Sequence, residues 1–345
     1  MHISDFDYEL PAELIAQHPL PERDASRMLI VDRESKTWID STFKEFPTHL
    51  REGDVLVLNN TRVFPARLRG RRSSGGAVEL LLLREVQPRT WEALARPARR
   101  VRNGDEIVFG DGKSKARVRD SLPDGVRVVE FESSEGLAEI IEEIGEIPLP
   151  PYIKRDGEHL TEGEDKLRYQ TIYAREQGAI AAPTAGLHFT PSIIEMIKQR
   201  GVTVTEITLH VGYGTFEPVR VSDIADHQVR PESYSISDAV AATINEARSR
   251  GQRIIAVGTT TTRALESASG TNGLVAGTTL ANLTIVPGYR FRVVDALLTN
   301  FHLPQSSLLL LVCAFAGREF ALDVYRHAVK ERYRFYSYGD CMFIT

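Results

Sequence analysis

Turn signals cut the stretch from Arg67 to about Phe131 into short pieces: Ser73-Ser-Gly-Gly76, Asn103-Gly104, Asp111-Gly112 and Pro123-Asp-Gly125. Between them stand AVELLLLREV, TWEALA, DEIVFG, KARVRD and VRVVEF. Closely spaced strands joined by Gly and Asp turns predict a small β-barrel. SEGLAEIIEEIG, which follows, predicts a helix capped by Ser133 or Ser134 and stopped at Gly145. Pro148-Leu-Pro-Pro151 reads as a linker, and the charged segment from Lys154 to Asp165 as a mobile one.

The same stretch carries an unusual charge. From Arg62 to Arg119 there are fifteen Lys/Arg against six Asp/Glu, whereas the rest of the chain has 27 basic and 41 acidic residues and the whole is at −5. A basic block inside an acidic protein predicts a polyanion partner, with Arg99, Arg100 and Arg102 as candidate phosphate contacts. The alternative is a solvated surface whose charges scatter over all sides.

At 345 residues and 42% hydrophobic, the chain buries a large core and forms more than one domain. Its longest apolar run, LLLLVCAFA (Leu308 to Ala316), is nine residues. A spanning helix needs about 20, so the run is a buried helix or strand, capped by Ser306 or Ser307, and no membrane association is expected. No segment reads as a signal peptide. Cys313 and Cys341, without a CxxC pair, argue against a disulfide framework or a zinc site and for a cytoplasmic protein.

From Gln170 onward, strand-like and helix-like segments alternate, as in a mixed α/β domain. Thr190-Pro191 opens a helix over 191–200, and SDAVAATINEARSRG predicts one ending at Gly251. VTVTEITLHV changes its apolar phase between Val204 and Ile207, which predicts a bulge or bend. RIIAVG reads as a buried strand, and EFALDVYRHAVKERY as a late helix.

Four connections are alike in composition, namely APTAGLHFT (182–190), HVGYGTFEPV (210–219), VGTTTTRALES (257–267) and LLTNFHLPQSS (297–307). Each follows an apolar stretch and mixes Gly, Thr or Asn with His or Arg. Loops beyond strand ends gather into one crevice in α/β folds, so these predict a small-molecule site. The threonines after Gly258 can bind a carboxylate or phosphate, or simply cap a helix. Gly212 and Gly214 leave room for a flat ring near the backbone. GYGTFE lacks the third glycine of a dinucleotide loop, and no phosphate loop or nucleophile elbow exists. His188 and His302 are the candidates for proton transfer, with small neighbours that leave space for a ligand. His327 reads as a helix-surface residue. YRFYSYGDCMFI (333–344) offers either stacking rings or an edge strand that closes the core.

In order along the chain, NNTRVFPARL, PLPPYIKR, RYQTIYA, AAPTAGLHFT, LHVGYGTFEPV, VGTTTTRALES, TNFHLPQSSLLLLVCAFAG and YRFYSYGD resemble the S-adenosylmethionine:tRNA ribosyltransferase-isomerase family of queuosine biosynthesis. The resemblance runs from DFDYELPAELIAQHP to the last residues. It implies a mixed α/β domain containing a β-barrel (1–65 and 148–345) with an inserted small all-β barrel domain (66–147). It implies a transferase/isomerase that moves the ribosyl carbons of S-adenosylmethionine to 7-aminomethyl-7-deazaguanine at the wobble position of a tRNA with a GUN anticodon. Epoxyqueuosine forms, and adenine and methionine leave. S-adenosylmethionine is then a co-substrate, with no metal, and a monomer is favoured.

On this resemblance, His188, His302 and His210 are the catalytic candidates. The substrate-binding candidates are Asn60, Thr61, Arg62, Thr184, Gly186, Gly212, Gly214, Thr215, Glu217, Glu232, Thr259, Thr260, Arg263, Asn300, Tyr338 and Asp340. One departure stands out: the family's H-x-M-H-x-E pattern reads His227-Gln-Val-Arg230-Pro-Glu232 here. An arginine is no neutral base near pH 7. A non-catalytic RNA-binding protein and a relative acting on the free base are the competing readings.

Overall fold

The computed structural model describes residues 1–122, 125–132, 136–155, 162–216 and 218–345. Its larger part is built on a nine-stranded sheet. The strands lie in the order 277–281, 232–236, 203–209, 55–59, 254–257, 296–300, 341–344, 27–32 and 37–42. The four from 203–209 to 296–300 run parallel. The strand order has two ends, so the closed barrel is the inserted one.

The parallel strands are apolar because both of their faces are covered. Val55 and Val57, Ile254 and Ala256, and Leu297 face one core. That core is filled by helices Asp238–Ser249, Thr259–Ser267, Ser307–Ala316 and Arg318–Lys330. Leu56 and Leu58, Ile255 and Val257, and Ala296 and Leu298 face a second core closed by Phe43, Phe46, Phe189 and helix Pro191–Gln199. Each fully buried aliphatic side chain contributes roughly 1.5–3 kcal/mol.

The helix signals hold where capping chemistry is local. Thr190 accepts from the Ile193 N–H, Ser237 from Val240 and Ser306 from Leu309. Gly201 and Gly251 take positive φ just past their helices. The expected cap of the 137–144 helix does not hold. Its N-cap is Gly136 at φ 68, and Ser133 and Ser134 lie outside the described residues.

The phase change in VTVTEITLHV has a tertiary cause. Residues 203–207 pair in parallel with 55–59, and then Thr208 and Leu209 pair antiparallel with Ser235 and Tyr234. The strand changes partner rather than bulging. Cys341–Ile344 is no edge strand either; it sits between 296–300 and 27–32 with all four residues buried.

Strands 67–72, 77–87, 90–96, 106–109, 114–121 and 126–131 form a closed six-stranded barrel whose core holds Leu80, Leu82, Ile107, Phe109, Val129 and Phe131. Phe64 and Ile180 belong to the same cluster, so the barrel core continues into the segments that carry it. The chain leaves and returns side by side, with Arg67 and Glu146 exchanging backbone hydrogen bonds of 3.1 and 2.9 Å. Pro148 and Pro150 are buried and Leu149 packs on the larger core, so 148–151 is anchored and is no free linker. Arg155 grips Asp165 through two hydrogen bonds of 3.0 and 2.8 Å, closing the charged segment at its ends. Residues 156–161 lie outside the described residues.

Candidate active site

The carboxyl ends of the parallel strands open into a cleft. All four Gly/Thr loops reach it. Pro183 and Thr184 come from the first, Gly258, Thr259 and Thr260 from the third, and Thr299, Asn300 and His302 from the fourth. The loop at 210–219 adds Val211 to the cleft, and Gly214 to an adjoining groove that shares Thr259, Thr260 and Leu308 and also holds Arg263. Tyr152, Tyr336 and Ser337 close the remaining side. Among the described residues no charged side chain lines the cleft; its polar groups are hydroxyls, an amide and an imidazole.

His302 is held from every side. Its Nε2 shares a 2.9 Å hydrogen bond with Thr299 Oγ1, its backbone N–H donates to Tyr325 Oη at 3.1 Å, and Tyr8 Oη donates to its carbonyl. Burial at 5% exposure lowers its pKa to about 3. His188 is lowered to about 4, by burial first and then by the nearby Arg334 and Arg23 charges. Both imidazoles are neutral at pH 7. A neutral imidazole can donate or accept a hydrogen bond, and a base that weak holds few protons at that pH.

The two histidines also part company in space. His188 does not line the cleft. Its Nδ1 bonds Ser26 Oγ at 2.8 Å, and its Nε2 lies 3.3 Å from Asn300 Nδ2, so it braces Asn300 from behind. Asn300 then reaches the cleft with its Oδ1 accepting from Thr184 Oγ1 at 3.3 Å. His210, half-buried with its pKa lowered by desolvation, is paired at 2.8 Å with Thr61 Oγ1.

Several expected substrate contacts are engaged elsewhere. Asn60 bonds Thr208 and Glu206, Arg62 is exposed, and neither reaches the cleft. The space beside Gly186 is filled, since a Cβ there would come 2.1 Å from the Tyr173 hydroxyl. A Cβ on Gly214 would come 3.0 Å from Arg230 Cβ, whereas one on Gly212 would meet nothing closer than 3.7 Å, so the room lies beside Gly212. Glu232 and Arg263, 4% and 8% exposed, pair with each other at 2.7 Å. Glu232 also accepts from the Gly212 N–H at 2.8 Å, and Arg263 donates to the carbonyls of Arg230 and Ala281. This pair fixes the glycine loop. Asp340, its pKa raised by burial, accepts the backbone N–H groups of Arg27 and Arg334. Tyr338 bonds Asp165. Glu217 and the Thr215 side chain lie outside the described residues.

Four cleft residues carry no signal in the sequence that marks them as site residues: Tyr152, Thr299, Tyr336 and Ser337. All stand inside motifs that carry the family resemblance, yet nothing local distinguishes them. Tyr152 and Tyr336 meet edge-on with centroids 3.9 Å apart, and Tyr336 takes φ 73 to do so. The threonines after Gly258 are no open loop but the first turn of helix Thr259–Ser267, whose free N–H groups point to the cleft end.

In the barrel, half of the basic block is neutralised: Arg67, Arg69, Arg84, Arg89, Lys113, Arg117 and Arg119 pair with carboxylates. Among the described residues Arg72, Arg99, Arg100 and Arg102 make no ion pair, and Arg72 Nη1 bonds the Arg100 carbonyl at 3.0 Å, gathering them at one end. His327 sits on its helix surface as expected, 3.0 Å from Asp40 and against Trp38. Among the described residues no group of acidic, His or Cys side chains is placed to hold a metal.

Residues 3–344 match the family described as "Queuosine biosynthesis protein". The chain is 52% identical, over the full length of both proteins, to an S-adenosylmethionine:tRNA ribosyltransferase-isomerase of Citrifermentans bemidjiense. It is 51% identical, again over both full lengths, to one of Moorella thermoacetica. The crystal structure of S-adenosylmethionine tRNA ribosyltransferase from Thermotoga maritima is 38% identical, covering 99% of this chain and 100% of its own, with a TM-score of 0.56.

Proposed function

Because the chain belongs to the queuosine biosynthesis protein family, we propose that its cleft holds S-adenosylmethionine while the barrel and cleft rim hold the RNA. The enzyme is a ribosyltransferase-isomerase acting on tRNA in queuosine biosynthesis. The ribosyl carbons of the donor pass to the aminomethyl group of 7-aminomethyl-7-deazaguanine at the wobble position of a GUN anticodon. Epoxyqueuosine-tRNA forms, and adenine and methionine leave. The observation that carries this reading is the meeting of the Thr184, Thr259 and Asn300–His302 loops in one uncharged cleft.

The cleft's chemistry matches the donor part by part. A sulfonium is a soft cation, and Tyr152 and Tyr336 offer ring faces to it without a competing charge. The methionyl carboxylate docks at the free N–H groups of the Thr259–Ser267 helix, with the Thr259 and Thr260 hydroxyls beside them. His302, neutral and fixed by Thr299, hydrogen-bonds the adenine as it departs. The C5′ proton acidified by the sulfonium needs a base that the cleft's own side chains do not supply, so the incoming amine, which must be neutral to attack, or a water takes it.

The division into a donor-binding unit (1–65 and 148–345) and a barrel unit (66–147) fits these roles. A cytoplasmic, monomeric, metal-free enzyme is part of the same proposal. Among the described residues no helix is long and apolar enough to cross a membrane.

The test is mass spectrometry of substrate tRNA incubated with the protein and S-adenosylmethionine. The tRNA gains the ribosyl-derived carbons while adenine and methionine appear in equal amounts. Methyl transfer with S-adenosylhomocysteine as co-product would overturn the proposal.

A second prediction concerns the barrel. Replacing Arg99, Arg100 and Arg102 together by alanine weakens tRNA binding at least tenfold near 0.1 M salt and lowers the slope of log Kd against log salt by about two to three, because each neutralised phosphate releases counterions. Donor affinity stays unchanged. Fluorescence titration at several salt concentrations reads both, and an unchanged slope would make this end of the barrel a solvated face.

A further inference from the structure

A second, smaller cavity lies behind the wall formed by Asn300 and Ser337 and opens outward. Arg23, Ser26, Arg168, His188, Ser337 and Tyr338 line it, and Ser337 lines the main cleft as well. Pro19, Leu20 and Glu22 form its rim, so it opens to the surface beside the cleft.

Its charge is unbalanced. Arg23 donates to the carbonyls of Leu187 and Leu167 at 3.2 and 2.9 Å, and Arg168 to those of Pro21 and Leu20 at 3.0 and 2.5 Å. Backbone carbonyls fix the two guanidiniums but leave their charges uncompensated. Among the described residues neither makes an ion pair. Glu22 at the rim is taken by Lys44 at 3.0 Å. A third guanidinium, Arg334, stands close enough for its charge to act on His188. Its nearest carboxylate, Asp340, is engaged by backbone N–H groups, and Arg334 itself donates to the His18 carbonyl. Arg168 Nε and Arg334 Nη1 are buried with no acceptor. The repulsion is felt within the cluster: burial and then Arg168 lower the pKa of Arg23. Arg23 and Arg168, two half-buried cations in the cavity wall without an ion-pair partner, one of them with an orphaned N–H group, cost stability that a bound oxyanion would offset.

We propose that this cavity is an anion subsite that takes a backbone phosphate of the RNA next to the nucleotide entering the cleft. The inference rests on the tRNA reading above. A phosphodiester suits the cavity better than the donor's carboxylate for two reasons. The donor is confined to the cleft on the other side of Asn300, where a helix N-terminus already serves its carboxylate. The cavity opens outward at a rim that a polynucleotide can cross. Guanidinium forks bind phosphate oxygens in pairs, whereas lysine offers a point charge.

The tests are Arg168→Gln and Arg168→Lys in the full chain, with inorganic phosphate as a free probe on the unaltered protein. Arg168→Gln raises the tRNA KM about tenfold and flattens the salt slope of tRNA binding by about one. Its kcat and its KM for S-adenosylmethionine stay within about twofold, and Arg168→Lys falls between it and the unaltered protein. Inorganic phosphate competes with tRNA for the unaltered protein, read by fluorescence without turnover, and competes less against Arg168→Gln. Phosphate competition needs no variant, so it decides the matter if Arg168→Gln fails to fold. A rise in the donor KM instead would assign the subsite to the donor's carboxylate and overturn the proposal. Unchanged tRNA binding and salt slope, or no competition by phosphate, would make the arginines purely structural. tRNA binding with no modified product would count against the proposed function and leave the subsite standing.

Discussion

His302→Ala is expected to lower kcat roughly 10²–10³-fold, the range seen when one preorganised hydrogen-bond partner of a transition state is removed. The residue lines the cleft, and Thr299, Tyr8 and Tyr325 leave its ring and backbone little freedom. His188→Ala costs less, because it acts only through Asn300, and His327→Ala costs nothing measurable, because its partners Asp40 and Trp38 lie away from the cleft. Adenine release under saturating substrates gives the three kcat values. Equal, small losses in all three folded variants would make the histidines structural.

The same residue carries a stability signature. Its folded pKa, about 3, lies below the ordinary 6.5, so below pH 6.5 the unfolded chain binds a proton that the native one does not. Stability present above pH 6.5 is therefore lost as pH falls from 6.5 toward 3, and His302→Gln removes that part of the slope. Denaturant unfolding at pH 7 and pH 5 measures it. The kcat profile shows no inflection near pH 6.5 from this group.

Removing Glu232 is expected to destabilise the protein by about 3–5 kcal/mol, since it leaves Arg263 as a buried guanidinium without its carboxylate, and removing Arg263 takes from Glu232 the cation paired with its Oε2. Both are almost fully buried and 2.7 Å apart. Arg263→Met also releases the Arg230 and Ala281 carbonyls, and Glu232→Ala frees the Gly212 N–H. The 212–216 loop loosens in either variant, and the donor KM rises with it. The double variant, with both charges gone, loses less than the sum of the two. Guanidinium unfolding curves decide this. A loss below about 1 kcal/mol for each single variant would show that the pair is solvated in the native state.

What could be read in the sequence was whatever depends on near neighbours. The caps Thr190, Ser237 and Ser306 need only the next few residues, and the barrel announced itself through the spacing of its turns. The four Gly/Thr loops are recognisable by composition, and the α/β crossover rule brings them to one cleft, the 210–219 loop by Val211 alone. What escaped reading depends on distant partners. Nothing around Glu232 or Arg263 reveals that they meet, so both looked like ligand contacts. Cys341–Ile344 reads as an edge strand until two other strands flank it. Arg23 and Arg168 come from irregular and marginal segments with no period to follow. The two histidine pKa values follow from burial, and burial of a polar residue is invisible to composition.

The placement of strand 341–344 has a consequence for how the chain reaches its native form. Its neighbour, strand 27–32, is among the earliest parts synthesised, and Arg27 bonds Asp340 across 313 positions. Closing a loop that long costs about 5 kcal/mol of chain entropy before any contact repays it. The barrel's pairs span a few tens of residues at most and carry no such delay. The insert is therefore free to fold while the large sheet still waits. In that interval strand 27–32 exposes an unpaired, apolar edge, which makes it the segment most open to chaperones or to another unfinished copy.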